Sequence, residues 1–184
     1  AFEETGKLVF ADDFSNPNSG WTDAAGNAGS AHYEQGGYLF KVEKANYWIW
    51  DSVNYAYDNV VINVDSKVLK SVGDGDYGIM CGENEQDFYG LEISEDGYFS
   101  IWQTIDGETV FLVDWTYSEV VATGASHAMS AVCGSNGLTL AVDGVTLATV
   151  QAEDFKPGPV GLVAGTYDNA GLQVLFDNFE ILLP

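Results

Sequence analysis

Three acidic side chains near the middle of the chain are the first residues whose types could carry chemistry. Glu92, Glu95 and Asp96 lie within "YGLEISEDGYFSIWQ", residues 89–103. Two carboxylates can cleave a glycosidic bond, and the retaining reaction places them about 5–5.5 Å apart on one face. Because strand side chains alternate between two faces, Glu92 and Glu95 would point in opposite directions. These acids therefore do not form a catalytic pair in the required geometry.

The same alternation separates a core face from an outer face in this segment. Ile93 and Ile101 are aliphatic and are expected to face the core. Glu92, Tyr98 and Trp102 have the opposite parity and are expected to point outward. The glutamate and the tryptophan would then share one surface.

A second segment, residues 46–51, places two more tryptophans on an outer face, opposite Ile49. Exposed aromatic clusters tend to mark interaction sites, and a sugar ring can pack its apolar C–H face on them while carboxylates accept its hydroxyls. The alternative is that loops cover these rings, so that they only pack. The predicted ligand-binding residues are Trp48, Trp50, Glu92, Tyr98 and Trp102.

Other catalytic and metal patterns are weak. The two histidines, His32 and His127, are far apart in sequence, which makes a zinc site improbable. No nucleophile elbow marks a serine triad, and no glycine-rich phosphate loop lies between a strand and a helix. The acids of Asp74-Gly75-Asp76 are interpreted as a plain turn.

The charge balance excludes some partners. The chain has 28 acids against six lysines and no arginine, for a formal charge of −22. Such a field repels nucleic acid and anionic membrane surfaces and attracts cations. No apolar run approaches the roughly 20 residues that span a bilayer, so no membrane insertion is expected. The chain starts at Ala1 without a signal peptide, and any export signal or anchor is expected upstream.

The two cysteines, Cys81 and Cys133, suit neither a zinc motif nor a CxxC redox pair. Both lie on expected core faces, which favours one buried disulfide. Two buried free thiols are the alternative.

Short runs of β-branched and aromatic residues alternate with Gly, Asp and Asn along the whole chain, which predicts a fold made of strands. Two-residue hairpin turns are indicated at Asp106-Gly107 and Asp143-Gly144. Residues 15–32 are expected to form the longest loop. The fold class is an all-β, antiparallel two-sheet sandwich, with one domain over 1–184. Strands are predicted at 7–14, 38–44, 46–51, 58–69, 77–82, 87–94, 97–104, 108–113, 127–133, 137–142, 145–150, 159–166 and 172–182.

The first and last strands carry a recognisable pair of motifs. "LVFADDFSNPNSGW" (8–21) opens the chain and "VLFDNFEILLP" (174–184) closes it. With the segments at 77–81, 88–98 and 158–168, the sequence resembles the concanavalin A-like jelly-roll superfamily. It is most similar to bacterial extracellular laminin G-like and sugar-binding modules.

This resemblance implies a structural Ca²⁺ held between the terminal strands. The candidate ligands are Asp13, Asp177 and a carbonyl at Gly36 or Gly37, oxygen ligands of the kind that Ca²⁺ takes. The alternative is that the aspartates only cap strand ends. The enzymatic branch of the superfamily reads E-x-D-x-E, and here Ser94 stands at the aspartate position.

The sequence therefore predicts an extracellular or cell-surface, monomeric, non-catalytic module that binds an oligo- or polysaccharide and is stabilised by calcium and one disulfide. A glycoside hydrolase or lyase of the same fold, which would need a second acid near Glu92, is one alternative. A structural or adhesive surface module is the other.

Overall fold

The computed structural model describes residues 6–85, 87–152 and 154–184. In these residues the chain forms fifteen strands and one short helix. Their bounds are β1 Lys7–Asp12, β2 Ala24–Ala25, β3 Gly29–Glu34, β4 Gly37–Val42, β5 Tyr47–Val53, β6 Val60–Lys70, β7 Asp76–Asn84, β8 Asp87–Ser94, β9 Tyr98–Ile105, β10 Glu108–Tyr117, α1 Glu119–Ala122, β11 Ser126–Gly134, β12 Gly137–Val142, β13 Val145–Val150, β14 Val160–Thr166 and β15 Leu172–Leu183.

The strands pair into two antiparallel sheets that pack face to face. One sheet has the order β13-β12-β11-β6-β15-β4-β3-β2, with β1 also paired to β15. The other has six strands in the order β10-β9-β8-β7-β14-β5. The predicted antiparallel two-sheet sandwich is confirmed. Within the described ranges, no helix is long and apolar enough to cross a bilayer.

The main core lies between the sheets and is built from alternate residues of each central strand. Phe40 and Ile62 from the nine-stranded sheet and Leu91 and Ile101 from the six-stranded sheet are fully buried in it. Because strand side chains have a period of two, the residues between them must face away from this core. On β7, β8 and β9 that second face becomes the candidate site.

The predicted two-residue turns are confirmed at both positions. Asp106 and Asp143 have φ of 53° and 51°, and a glycine with positive φ follows each of them. The predicted loop over 15–32 is wrong in its second half, where β2 and β3 form. That segment has few β-branched residues, and its strands form through backbone pairing at the sheet edge.

A disulfide joins the two sheets. Cys81 in β7 and Cys133 in β11 are bonded, with their Cα atoms 6.5 Å apart, and both side chains are buried. The predicted bridge is confirmed. It closes a loop with a sequence separation of 52 residues and fixes β7, which carries part of the candidate site, to the opposite sheet.

Removing this crosslink is expected to lower stability without changing the fold. In the chain-entropy model a loop of this length contributes about 4 kcal/mol, so the Cys81→Ala/Cys133→Ala variant should melt roughly 10 °C below the parent. Calorimetry on three samples checks this: the parent, the parent with reductant, and the double variant. The reduced parent is included because reduction breaks the crosslink without removing side-chain atoms. Equal melting temperatures in all three samples would show that the bridge is dispensable.

Candidate functional site

The candidate site lies on the outer face of the six-stranded sheet. In β8, Ile93 is buried in the main core, and Glu92 beside it faces outward. In β9, Ile101 is in the core, and Trp102 packs with Phe88 in a separate apolar cluster on the outer face. The side-chain parity predicted for these strands is confirmed.

Two glycines allow indole rings to lie close over this face. Gly90 is the cross-strand partner of Trp102, and Gly165 is the partner of Trp48. A Cβ at Gly90 would overlap the Trp102 ring, and one at Gly165 would overlap both the Trp48 ring and the Asp76 carboxylate. Because these positions have no side chain, the rings can approach the neighbouring backbone.

Aromatic rings and two carboxylates surround a pocket of about 410 Å³ on this face. Its volume is within the range of about 300–1,000 Å³ that is common for small-molecule sites. Strands β5, β7, β8, β9 and β10 all contribute side chains, so the pocket spans most of the sheet. The aromatic lining consists of Trp48, Trp50, Phe88, Trp102, Phe111, Trp115 and Tyr167, and we call this space the aromatic pocket.

Glu92 is fully buried at the base of the aromatic pocket. Its Oε2 accepts a hydrogen bond of 2.5 Å from Trp102 Nε1. Its Oε1 is buried and has no hydrogen-bond partner among the described residues. One oxygen therefore fixes the carboxylate, and the other is left to a ligand or water.

Asp76, the first residue of β7, has the same arrangement. Its Oδ2 accepts hydrogen bonds from the Tyr167 hydroxyl at 3.0 Å and from Trp48 Nε1 at 3.3 Å. These two rings pack edge to face, with centroids 5.3 Å apart. Its Oδ1 is buried and lacks a partner within the described part of the chain.

The two carboxylates are neighbours on one face. In the β7–β8 pair, Asp76 is opposite Ser94 and Gly78 is opposite Glu92. Asp76 and Glu92 are therefore diagonal neighbours, a relation that puts their side chains within reach of each other. Sequence analysis found no second acid near Glu92, but in the structure Asp76 lies beside it.

Burial changes the acidity of both groups. It raises the pKa of Glu92 well above its usual value, and the charge of Asp76 adds to this effect, while the Trp102 hydrogen bond opposes it. Burial also raises the pKa of Asp76 to about 6, against the lowering effect of the hydrogen bonds from Tyr167 and Trp48. Both acids therefore take up a proton more readily than ordinary carboxyls do.

Glu95 has a structural contact instead of a place in the pocket. Its Oε2 accepts the backbone N–H groups of Val72, Gly73 and Gly75, at 3.0–3.1 Å. These bonds hold the loop that leads directly into Asp76. Glu95 is thus a positioning residue for the second carboxylate.

Four of the five predicted ligand-binding residues meet in the aromatic pocket, and one does not. Tyr98 is 37% exposed and packs edge to face on Tyr117, outside the residues that line the pocket. The binding role of the set stays a prediction. The four that meet are Trp48, Trp50, Glu92 and Trp102.

The degree of exposure expected for two of them is wrong. Trp102 is only 6% exposed and Glu92 is fully buried, although both are on the outer face. Phe88 packs on Trp102 with ring centroids 5.2 Å apart. Phe111 of β10 is the cross-strand partner of Trp102. Trp50, at 41% exposed, is the accessible indole. The surface is consequently a pocket and not an open platform.

Sequence reasoning missed five of the aromatic and acidic residues that line the pocket. It assigned Asp76 to a turn, and it gave Trp115 and Tyr167 no binding role. The alternation of Asp76 with Tyr77, a core residue, was the available signal. The missed residues are Asp76, Phe88, Phe111, Trp115 and Tyr167.

The three predicted calcium-binding positions lie along one edge of β15. On that edge β4 pairs with residues up to Phe176, and β1 pairs from Phe179 onward, so Asp177 lies between them. Gly37 lies against the Phe176 carbonyl. The Asp13 carboxylate accepts hydrogen bonds from Ser15. Among the described residues no group of three or more His, Cys, Asp or Glu could hold a metal, so a site here fits only if backbone carbonyls supply most ligands.

No family model matches this sequence, and no curated protein matches it. Solved structures do match. The carbohydrate binding module CBM66 from Bacillus subtilis has a TM-score of 0.70 at 12% identity, covering 89% of this chain and 96% of its own. The β-glucanase of Bacillus licheniformis has a TM-score of 0.68 at 16% identity, and the match covers 98% of this chain and 100% of the glucanase. The catalytic domain of the endo-1,3-β-glucanase (laminarinase) of Thermotoga petrophila has a TM-score of 0.65 at 12% identity, and the match covers 98% of this chain and 99% of that domain. The chain has the concanavalin A-like jelly-roll fold.

Replacing Asp76 should change how stability depends on pH. Its pKa is raised from 3.8 to about 6 on folding, so the ionised carboxyl destabilises the fold above that value, and the cost disappears as pH falls toward 3.8. Asp76→Asn should therefore melt at a higher temperature than the parent above about pH 7, with the difference shrinking toward about pH 4. Thermal melts across this range test it.

Glu119→Gln is the matched control for this experiment, because Glu119 is exposed and does not line the aromatic pocket. It removes the same formal charge from the chain. If both variants showed the same pH profile, general charge repulsion would explain the effect and the burial argument for Asp76 would be wrong.

Proposed function

We propose that this chain is a non-catalytic carbohydrate-binding module and that the aromatic pocket is its binding site. The observation that carries the proposal is the concentration of indole and phenyl rings around two buried carboxylates in one concave space. Pockets of this kind, mostly apolar with few placed polar groups, are the usual form of small-molecule sites.

The two kinds of surface in the pocket match the two kinds of surface on a sugar ring. The apolar C–H face of a pyranose packs on an indole, and Trp50 presents the most accessible one. The unpartnered oxygens of Asp76 and Glu92 accept hydrogen bonds, which sugar hydroxyls supply. Filling these acceptors also removes the cost of leaving them buried and unpaired.

An extracellular or cell-surface setting, with the chain acting as a monomer, is part of the proposal. The inter-sheet disulfide supports it, because such bonds persist in oxidising environments. The likeness to a carbohydrate binding module and to two glucanases supports the proposal at the level of the fold, which alone does not assign function.

Glycoside hydrolysis is the second candidate function, and the observation that favours it is Asp76 beside Glu92. Such chemistry uses two neighbouring carboxyls, one kept protonated by a raised pKa and one ionised, and burial raises the pKa of Glu92 well above its usual value but that of Asp76 only to about 6. Against it, one oxygen of each carboxylate is held by a ring N–H or O–H. Products released from oligosaccharides by the parent, and not by Glu92→Gln, would favour the enzyme; intact recovery favours the binding module.

A structural or adhesive role with a protein partner would suit a wide, flat apolar patch. The outer face of the six-stranded sheet instead holds a pocket of about 410 Å³ lined by two buried carboxylates. This shape favours a small ligand or a single extended chain over a flat protein surface.

The sugar-binding proposal predicts that Trp50→Ala weakens binding. Removing the most accessible ring of the pocket should lower affinity roughly tenfold, as loss of a central aromatic contact does, with little effect on folding because Trp50 is 41% exposed. A glycan array on the parent identifies a ligand, and calorimetry then compares the variants.

Tyr57→Ala is the control, because Tyr57 is a similarly exposed aromatic outside the pocket. Its affinity should equal that of the parent. A folded parent that binds no glycan on the array, or equal affinities for Trp50→Ala and the parent, would contradict the proposal.

We also propose the structural calcium ion at Asp13, Gly37 and Asp177. Ca²⁺ at about 100 times its dissociation constant should raise the melting temperature by about 5–10 °C over a sample with chelator. Asp177→Asn should lose this shift. Asp58→Asn, an acid outside the three positions that bonds to Ser135, should keep it. No shift in the parent would remove calcium from the proposal.

A further inference from the structure

The charge inside the aromatic pocket has one sign. Its lining includes the carboxylates of Asp76 and Glu92 and no lysine or histidine. The chain has no arginine at all. Within the described residues, then, no cationic side chain lines the pocket to balance these acids.

The two carboxylates lack a cationic partner in the pocket lining, and hydrogen bonds also fix their orientation. Ring N–H and O–H groups bind one oxygen of each, and the remaining oxygens, Asp76 Oδ1 and Glu92 Oε1, are fully buried without a partner among the described residues. A buried carboxylate in this state is costly, which is why burial raises the pKa of both acids. A cation that reaches the pair favours the ionised form and removes much of that cost.

The surrounding rings favour the same kind of ligand group. The faces of tryptophan and tyrosine carry negative charge density and attract cations that lie within about 6 Å of the ring centre. Trp48, Trp102 and Tyr167 donate to the two acids from their N–H and O–H edges, so the ring faces open to a ligand cation are those that line the rest of the pocket. A group that both donates hydrogen bonds and carries positive charge would satisfy the carboxylates and the rings together.

From these observations we propose that the ligand is an amino sugar, held with its protonated amino group at the Asp76–Glu92 pair. This rests on the proposed carbohydrate function and narrows its substrate class. The ammonium donates to the two unpartnered oxygens, and the sugar ring packs on the neighbouring indoles. A neutral sugar can fill the same acceptors, but it leaves the charge unbalanced.

A metal ion suits this place less well than an amine. Ca²⁺ takes six to eight oxygen ligands, and the pocket offers two carboxylates within walls of aromatic carbon. An ammonium group needs few acceptors and tolerates apolar walls. The overall charge of −22 attracts any cation to the protein, so specificity has to come from the pocket.

The test compares three oligosaccharides of equal length by calorimetry: a glucosamine oligomer with free amines, its N-acetylated form, and a neutral glucose oligomer. The parent should bind the free-amine form at least about tenfold more tightly than the other two, the size expected for one charge-assisted hydrogen bond. Asp76→Asn should remove this preference and retain the weaker binding. Glu92→Gln, which neutralises the other acid of the pair, provides a second variant with the same expected loss of preference.

Glu119→Gln separates the pocket from the general field, since it removes the same charge outside the pocket. It should keep the full preference. Equal affinity of the parent for all three oligomers, or an equal loss in Asp76→Asn and Glu119→Gln, would overturn the amino-sugar assignment and leave carbohydrate binding standing. Absence of binding to all three, with the protein folded, would overturn the amino-sugar assignment, and carbohydrate binding itself would then be decided by the glycan array.

Discussion

Trp102 donates its indole N–H to Glu92 across the β8–β9 pair, and the geometry of the aromatic pocket follows from that hydrogen bond. It fixes the carboxylate on the outer face of the sheet, and it holds the indole over Gly90, where a side chain would collide with it. Phe88 then packs on the indole, with ring centroids 5.2 Å apart, and covers it. A carboxylate without this donor would be costly to bury, so the ring and the acid stabilise each other's position.

Period-two alternation predicts the face of each residue in β8 and β9, because both strands are regular and aliphatic residues such as Ile93 mark the core side. The same reasoning is reliable for the turn at Asp106-Gly107, whose conformation is set by local chemistry. Alternation does not predict how far a side chain is buried. An outward side chain can still be covered by a neighbour, and Trp102 is covered by residues whose position depends on the whole sheet.

The site residues that the sequence could not predict lie where the period-two alternation of side chains is interrupted. In β10 the register with β9 shifts between Phe111 and Val113 and again before Thr116, so parity does not carry through to Trp115. Tyr167 follows the end of β14, outside any strand pattern. The partnership of Asp76 with Glu92 depends on how β7 and β8 are aligned, which is a tertiary property. Such pairs appear only when the strands are placed in space.

The acid pair also shows where this fold gives up stability. Two carboxylates with raised pKa values oppose folding at neutral pH, yet each is held in place by a ring N–H or O–H donor. The disulfide and the large inter-sheet core stabilise the same strands from the other side. Local cost supported by a rigid scaffold is characteristic of binding and catalytic sites. The outer face of β7 and β8 is therefore where this fold is expected to bind a ligand, whatever the chemistry of that ligand.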